Sequence, residues 1–236
     1  MPVKIKDVRE QPLLNPPPLR GGYRIPPGDM REIEDTLARA RGSDDLLTKA
    51  AALYMTKCLD LPCHPTATEE SKISRLVKST REDEALLILL GIAGRVGINV
   101  RKPPNADARL KALFAGISSQ TPTAMAQMYL QAREAGLPYV PRREDLESMR
   151  QELAKSRASG SGMDLVVLHH SLREAGSPEP LQEDDMALAY KTLDSLRMDD
   201  DWMGVTQIHH HLASILRPRE EADKTPPLPP LKRYRG

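Results

Sequence analysis

The residues of this chain best suited to chemistry are its six histidines and two cysteines. Cys58, Cys63 and His64 lie close together, and zinc is held by thiolate and imidazole ligands that come in short, regularly spaced pairs. Here the spacing is irregular, Pro62 and Pro65 interrupt it, and no second pair follows. Cys58 therefore reads as a core residue and Cys63 as a turn residue, and two cysteines make no disulfide framework. His169 and His170 sit in one helical segment, and His209, His210 and His211 in another. Ligands on one helical face need i, i+3 or i, i+4 spacing, whereas adjacent histidines point apart. No HExxH pattern is present. The sequence predicts no metal centre and no cofactor. One arrangement stays open, a pairing of the two histidine-bearing helices, whose protonation would make a pH-sensitive contact.

Other catalytic patterns are missing. Gly94, Arg95, Val96 and Gly97 follow no strand and make no phosphate loop, no G-x-S-x-G occurs, and no carboxylate pair stands out from the many surface acids. The expectation is a protein that is not an enzyme. The functional signal is instead distributed over basic residues. Arg75, Lys78, Arg101, Lys102 and Arg109 surround a central apolar segment, and Arg142 and Arg143 follow in a second basic loop, YVPRR. If the two loops converge, they form a groove that tracks phosphates without reading bases. The tail offers a second motif. Pro226, Pro227, Leu228, Pro229 and Pro230, followed by Lys232 and Arg233, have the general form of an SH3-type or WW-type ligand.

The elements that must position these groups read as helices. Residues 80–96 (TREDEALLILLGIAGRV) contain an apolar run from Ala85 to Ala93 that leaves no polar face, so this helix belongs among others. The run falls well short of the roughly 20 residues of a membrane span. Thr80 with Asp83 resembles a capping box and Gly97 a left-handed stop. Gly91 and Gly94 inside it point to close packing. Asp29 with Glu32 opens a first helix, Ser43 caps a second up to Pro62, and a third covers about 67–78. Further helices cover 106–117, 121–136 and 144–157; after ASGSG (158–162) come 163–175, 182–197 and 202–216. Aromatics make up only 3% of residues, which favours a Leu, Ala, Ile and Met core in helices and argues against a base-stacking platform.

The fold class expected is all-α, a multi-helix bundle-like body of about ten helices with extended Pro-rich arms at both ends. The arms are 1–28 and 217–236, the main helical lobe 29–157 and a smaller lobe 163–216. Each arm carries a net +3, which with an overall +1 leaves −5 for the middle. Basic arms on a mildly acidic body suit polyanions or acidic surfaces. The N-terminus, MPVKIKDVREQP, lacks the apolar region of a signal peptide. The expected compartment is cytoplasm, nucleus or a virion interior rather than secretion. The function these features favour is structural: a self-assembling, nucleic-acid-associated protein of the viral coat or nucleocapsid kind. It would be a homo-oligomer, with single-stranded RNA as partner. The alternative is a helical adaptor that binds a Pro-rich-motif partner through its tail.

Overall fold

The apolar run organises the fold as expected. It folds as α4 (Asp83–Val96), in which Leu86, Leu87 and Leu89–Ala93 are all buried. Only Ile88 turns outward, at 47% exposure. Gly97 adopts φ 81° and stops the helix, and the Ile98 N–H reaches back to the Ala93 carbonyl at 2.8 Å. The start differs from the sequence reading. Glu82 is the N-cap with no side-chain bond, and the Asp83 carboxylate instead accepts from Arg109 Nε at 2.6 Å. A guanidinium brought from another helix outcompetes the weak local capping of Thr80.

In a computed structural model, residues 23–216 are described; both Pro-rich arms, apart from Tyr23–Gly28, lie outside them. The described residues form α1 (Pro27–Gly42), α2 (Leu46–Cys58), α3 (Ala67–Ser79), α4, and α5 (Ala106–Ala115) with a 3-10 turn (Ile117–Ser119). There follow α6 (Pro122–Glu134), α7 (Arg143–Ser159), α8 (Gly162–Glu174), α9 (Glu183–Met198) and α10 (Trp202–Leu216). No strand occurs among them. Local signals explain most boundaries. Thr66 and Glu69 make a reciprocal capping box at α3, and Thr121 before Pro122 opens α6. Two starts move. Asp45, not Ser43, caps α2, accepting from the Thr48 N–H at 2.7 Å. Helix α1 begins at Pro27, and Asp29 is a buried acid inside it rather than its cap.

Packing follows the parity of the helices. The even-numbered ones meet in cyclic order, α2 on α4, α4 on α6, α6 on α8, α8 on α10 and α10 back on α2. The odd-numbered ones lie outside this ring: α1 over α2 and α10, α3 and α5 against α4, α7 over α6 and α8, α9 over α8 and α10. The sequence encodes this layering in amphipathicity, because an inner helix has neighbours on several sides and an outer helix on one. Thus α8 buries Leu165 through Leu172 without a break, whereas α1 buries only Asp29, Ile33 and Leu37.

One hydrophobic cluster runs from Ile33 to Ile215, with residues on both sides of ASGSG in it. Within that segment Gly160 takes φ 79° as the cap of α7, and α8 starts two residues later. Tyr23 and Ile25, at the end of the expected arm, also pack against the cluster. Among the described residues, no helix is long and apolar enough to cross a membrane.

Candidate functional site

The two basic loops converge on α5. Lys102 Nζ bonds Asp107 Oδ1 at 3.2 Å. From the other loop, Tyr139 stacks on Phe114 of α5 with ring centroids 4.0 Å apart and planes 7° from parallel. The Tyr139 hydroxyl is raised by partial burial and by the Asp107 carboxylate, which puts both loops beside the same acid. Arg109 joins the α3–α4 corner to this surface, donating from Nη1 to the Thr80 carbonyl at 2.9 Å as well as to Asp83.

The predicted cations differ in what they can still bind. Arg75, Lys78, Arg101 and Arg143 are exposed and have no ion-pair partner among the described residues; Arg75 reaches only Ser71 Oγ, at 3.5 Å. Arg109 is largely committed to holding α5 on the α3–α4 corner, with 15% of its side chain exposed. Arg142 grips Asp145 with two hydrogen bonds, of 3.0 and 2.9 Å, yet keeps half of its side chain in solvent. Beside Tyr139, a groove of about 380 Å³ lies between Tyr129, Leu130, Leu137, Val140 and Arg133. Val140 is 77% exposed at its lip. The tail motif Pro226–Pro230 lies outside the described residues.

Three buried acids anchor contacts that shape the body, Asp29 and Asp185 through interhelical ion pairs and Asp145 through a pair at the start of α7. Asp145 accepts from the Tyr129 hydroxyl at 2.7 Å and from Arg142. Asp29 is gripped by Arg197 Nε at 3.0 Å and by His209 Nε2 at 2.8 Å. With that proton on Nε2, His209 Nδ1 accepts from the Tyr23 hydroxyl at 2.5 Å, which ties the chain entry to α10. Asp185 accepts from Arg157 at 2.7 and 2.8 Å, from the Gln182 N–H at 2.9 Å and from His169 Nε2 at 3.1 Å. Burial works to raise the Asp185 carboxyl, but these donors prevail and hold it below the usual carboxylate value. His169 is lowered, chiefly by burial, and so is a neutral donor near pH 7. A lowered acid stabilises the fold above its unfolded pKa, and that stability is lost as pH falls through the folded value. Asp185→Asn should therefore cost about 2 kcal/mol at pH 7, discounted for the partly exposed Arg157. It should also flatten the acid limb of stability against pH below about 4. Urea titrations of both proteins from pH 3 to 7 check this.

At one end of the inner ring all five helices contribute to a polar centre. Cys58 closes α2, Arg95 lies near the end of α4 and Glu134 ends α6; His170 comes from α8, and His210 and His211 from α10. Arg95 Nη1 meets Glu134 Oε1 at 3.3 Å, and Glu134 Oε2 is buried with no hydrogen bond. Burial raises the Glu134 carboxyl and prevails over the neighbouring Arg95. Burial pushes the Cys58 thiol up to about 12, so it stays protonated, with the Tyr54 hydroxyl bonded to it. Cys63 lies apart, near Arg41, and His64 is exposed, so these three make no ligand set. The open pairing of histidine helices does form: His170 Nδ1 and His211 Nδ1 are 2.8 Å apart.

No family profile, curated protein or solved structure matches this chain. Its site residues are thus read from chemistry alone. Sequence reasoning passed over Glu134 and Arg95 because each looks like one more surface charge. It also discounted the histidines. Their i, i+1 spacing hides a meeting that depends on α8 and α10 being ring neighbours, and nothing local records that.

Proposed function

We propose that the protein is a nucleic-acid-associated structural subunit that binds the phosphate backbone of single-stranded RNA across the α5 face and assembles along it. The observation that carries this reading is the Tyr139–Phe114 stack, which sets the 139–143 loop against the helix whose N-terminus Lys102 already touches. Lys102 reaches α5 from one basic loop, and Arg142 and Arg143 follow Tyr139 in the other; the groove beside Tyr139 is lined by Tyr129, Leu130, Leu137, Val140, and by Arg133 with its ion-pair partner Glu174. The exposed cations of the two loops would follow phosphates without reading bases. Charge decides the range of the effect. The body between the arms is net −5, so its distant field opposes a polyanion. That field fades within about 8 Å at physiological salt, whereas direct arginine–phosphate contacts act inside that distance. The two arms, at +3 each, add attraction wherever the strand passes them.

Anisotropy of a labelled single-stranded RNA gives the test. About four phosphate contacts should yield a slope near −3 in log affinity against log salt. The double variant Arg101→Glu, Arg143→Glu alters only exposed side chains. It should lose at least about tenfold in affinity and shallow the slope by one or more. Light scattering with RNA should report particles larger than the free chain. Absent binding at low salt, or equal binding by the double variant, would overturn the assignment, and a monomer indifferent to RNA would favour the adaptor alternative.

A further inference from the structure

We propose that His170, His210 and His211 form a three-imidazole site for a divalent transition-metal ion of the zinc class, at the polar end of the inner ring. The proposal is independent of RNA binding. One ring nitrogen from each residue lies within 4.8 Å of the other two. The ring centroids form a nearly equilateral triangle, 5.3 Å from His170 to His210, and 5.1 Å from His211 to each of them. Zinc–nitrogen bonds of about 2.0–2.1 Å, with roughly 1.2 Å from nitrogen to ring centre, put three tetrahedrally disposed imidazoles about 5.2 Å apart. The rings therefore already stand at the separation an ion requires. The 2.8 Å between the Nδ1 atoms of His170 and His211 would open to about 3.3 Å, the edge of such a tetrahedron, and ligand nitrogens up to 4.8 Å apart would draw in to it.

Protonation favours binding. His170 is held well below the ordinary histidine value by burial and by the neighbouring His211, His210, Arg95 and Arg133. His211 is lowered by burial and by His210. Neutral imidazoles keep the lone pair that a metal takes. Two neutral rings joined Nδ1 to Nδ1 share one N–H, so the ring that carries it moves that proton to Nε2 when the ion arrives, and no net proton is released. His210 is set from outside. Its Nδ1 faces the Cys58 carbonyl at 3.3 Å, which only accepts, so Nδ1 carries the proton and Nε2 the lone pair. A backbone carbonyl on the second nitrogen is how metal-binding histidines are oriented.

Charge nearby is mixed. Arg95 and Arg133 oppose a cation, yet Arg95 is paired with Glu134 and Arg133 with Glu174. The second oxygen of the Glu134 carboxylate, Oε2, is buried with no hydrogen bond in the same polar centre. His170 and His210 are buried, while His211 is half-buried at the edge, where the fourth position faces water or an added ligand. Three histidines with one open position is the arrangement of zinc sites that exchange ligands. An ion here joins α10 to α8, so it closes the ring between elements 41 residues apart in sequence.

The experiment uses the full chain, stripped by chelator and titrated with ZnCl2 by calorimetry and with CoCl2 by visible absorption. The expected result is one ion per chain, the d–d spectrum of four-coordinate cobalt, and a melting temperature that climbs with zinc concentration. His211→Ala, at the half-buried edge, should fold and lose at least about tenfold in affinity; His170→Asn should do the same if it folds. The exposed His64→Ala should bind as the parent does. No binding at 100-fold molar excess of zinc overturns the proposal. So does stoichiometric binding that persists unchanged in His211→Ala, or binding lost in His64→Ala.

Discussion

Leu87→Asp should leave the chain unable to hold its fold. Leu87 is 1% exposed in α4, the helix that touches α2, α3, α5 and α6 at once. It belongs to the hydrophobic cluster, so a new carboxylate there would be buried among apolar side chains. Such a group either stays charged at a penalty of several kcal/mol or takes up a proton at a similar cost. The lost leucine adds about 2–5 kcal/mol for the transfer and packing it provided. The combined loss, roughly 5 kcal/mol or more, matches or exceeds the whole stability of many domains. The expected observation is an aggregating or molten protein with no cooperative thermal transition. A soluble variant with parental helicity and melting temperature would show that α4 is not the centre of the core.

Gly94→Ala should destabilise the fold by about 3 kcal/mol, the opposite of what helix propensity predicts. In an open helix the change gains up to about 1 kcal/mol. Here an added Cβ would sit 2.1 Å from the Glu134 carbonyl oxygen and 3.0 Å from its carbon, both backbone. Backbone in a neighbouring helix cannot rotate away, so α4 and α6 must separate, and overpacking of this kind reaches about 3 kcal/mol. Gly91→Ala is the internal control. Its Cβ would also meet an atom at 2.1 Å, but that atom is Oε1 of Gln131, the end of a flexible side chain. Its loss should be clearly smaller. Because Glu134 and Arg95 flank the contact, Gly94→Ala should also disturb the polar centre. Thermal melts of the two variants side by side check the ranking.

The helices of this protein follow from sequence, because the forces that start and stop a helix act over four or five residues. Gly97, Gly136, Gly160 and Gly176 all take positive φ where the chain must turn, and each closes a helix or follows its last turn. The unbroken apolar run of α4 already demanded neighbours on every side. Where local capping was weak, distant groups prevailed. Asp83 serves Arg109, and Asp29 serves Arg197 and His209, 168 and 180 residues further along the chain. No local pattern announces such pairs, since each acid and each arginine looks alike until two faces meet. The same holds for function. The sequence by itself determined that the chain is helical, that its ends are basic and Pro-rich, and that its loops at 99–105 and 139–143 carry arginine and lysine. Only the tertiary structure decided which of those cations remain exposed and which are drawn to Asp107 and Asp145. It alone placed Tyr139 on Phe114, closed five helices into a ring, and brought His170 of one helix against His210 and His211 of another. The physical reason is that side-chain chemistry is written residue by residue, whereas a site requires distances, and those are set by which helices share a core.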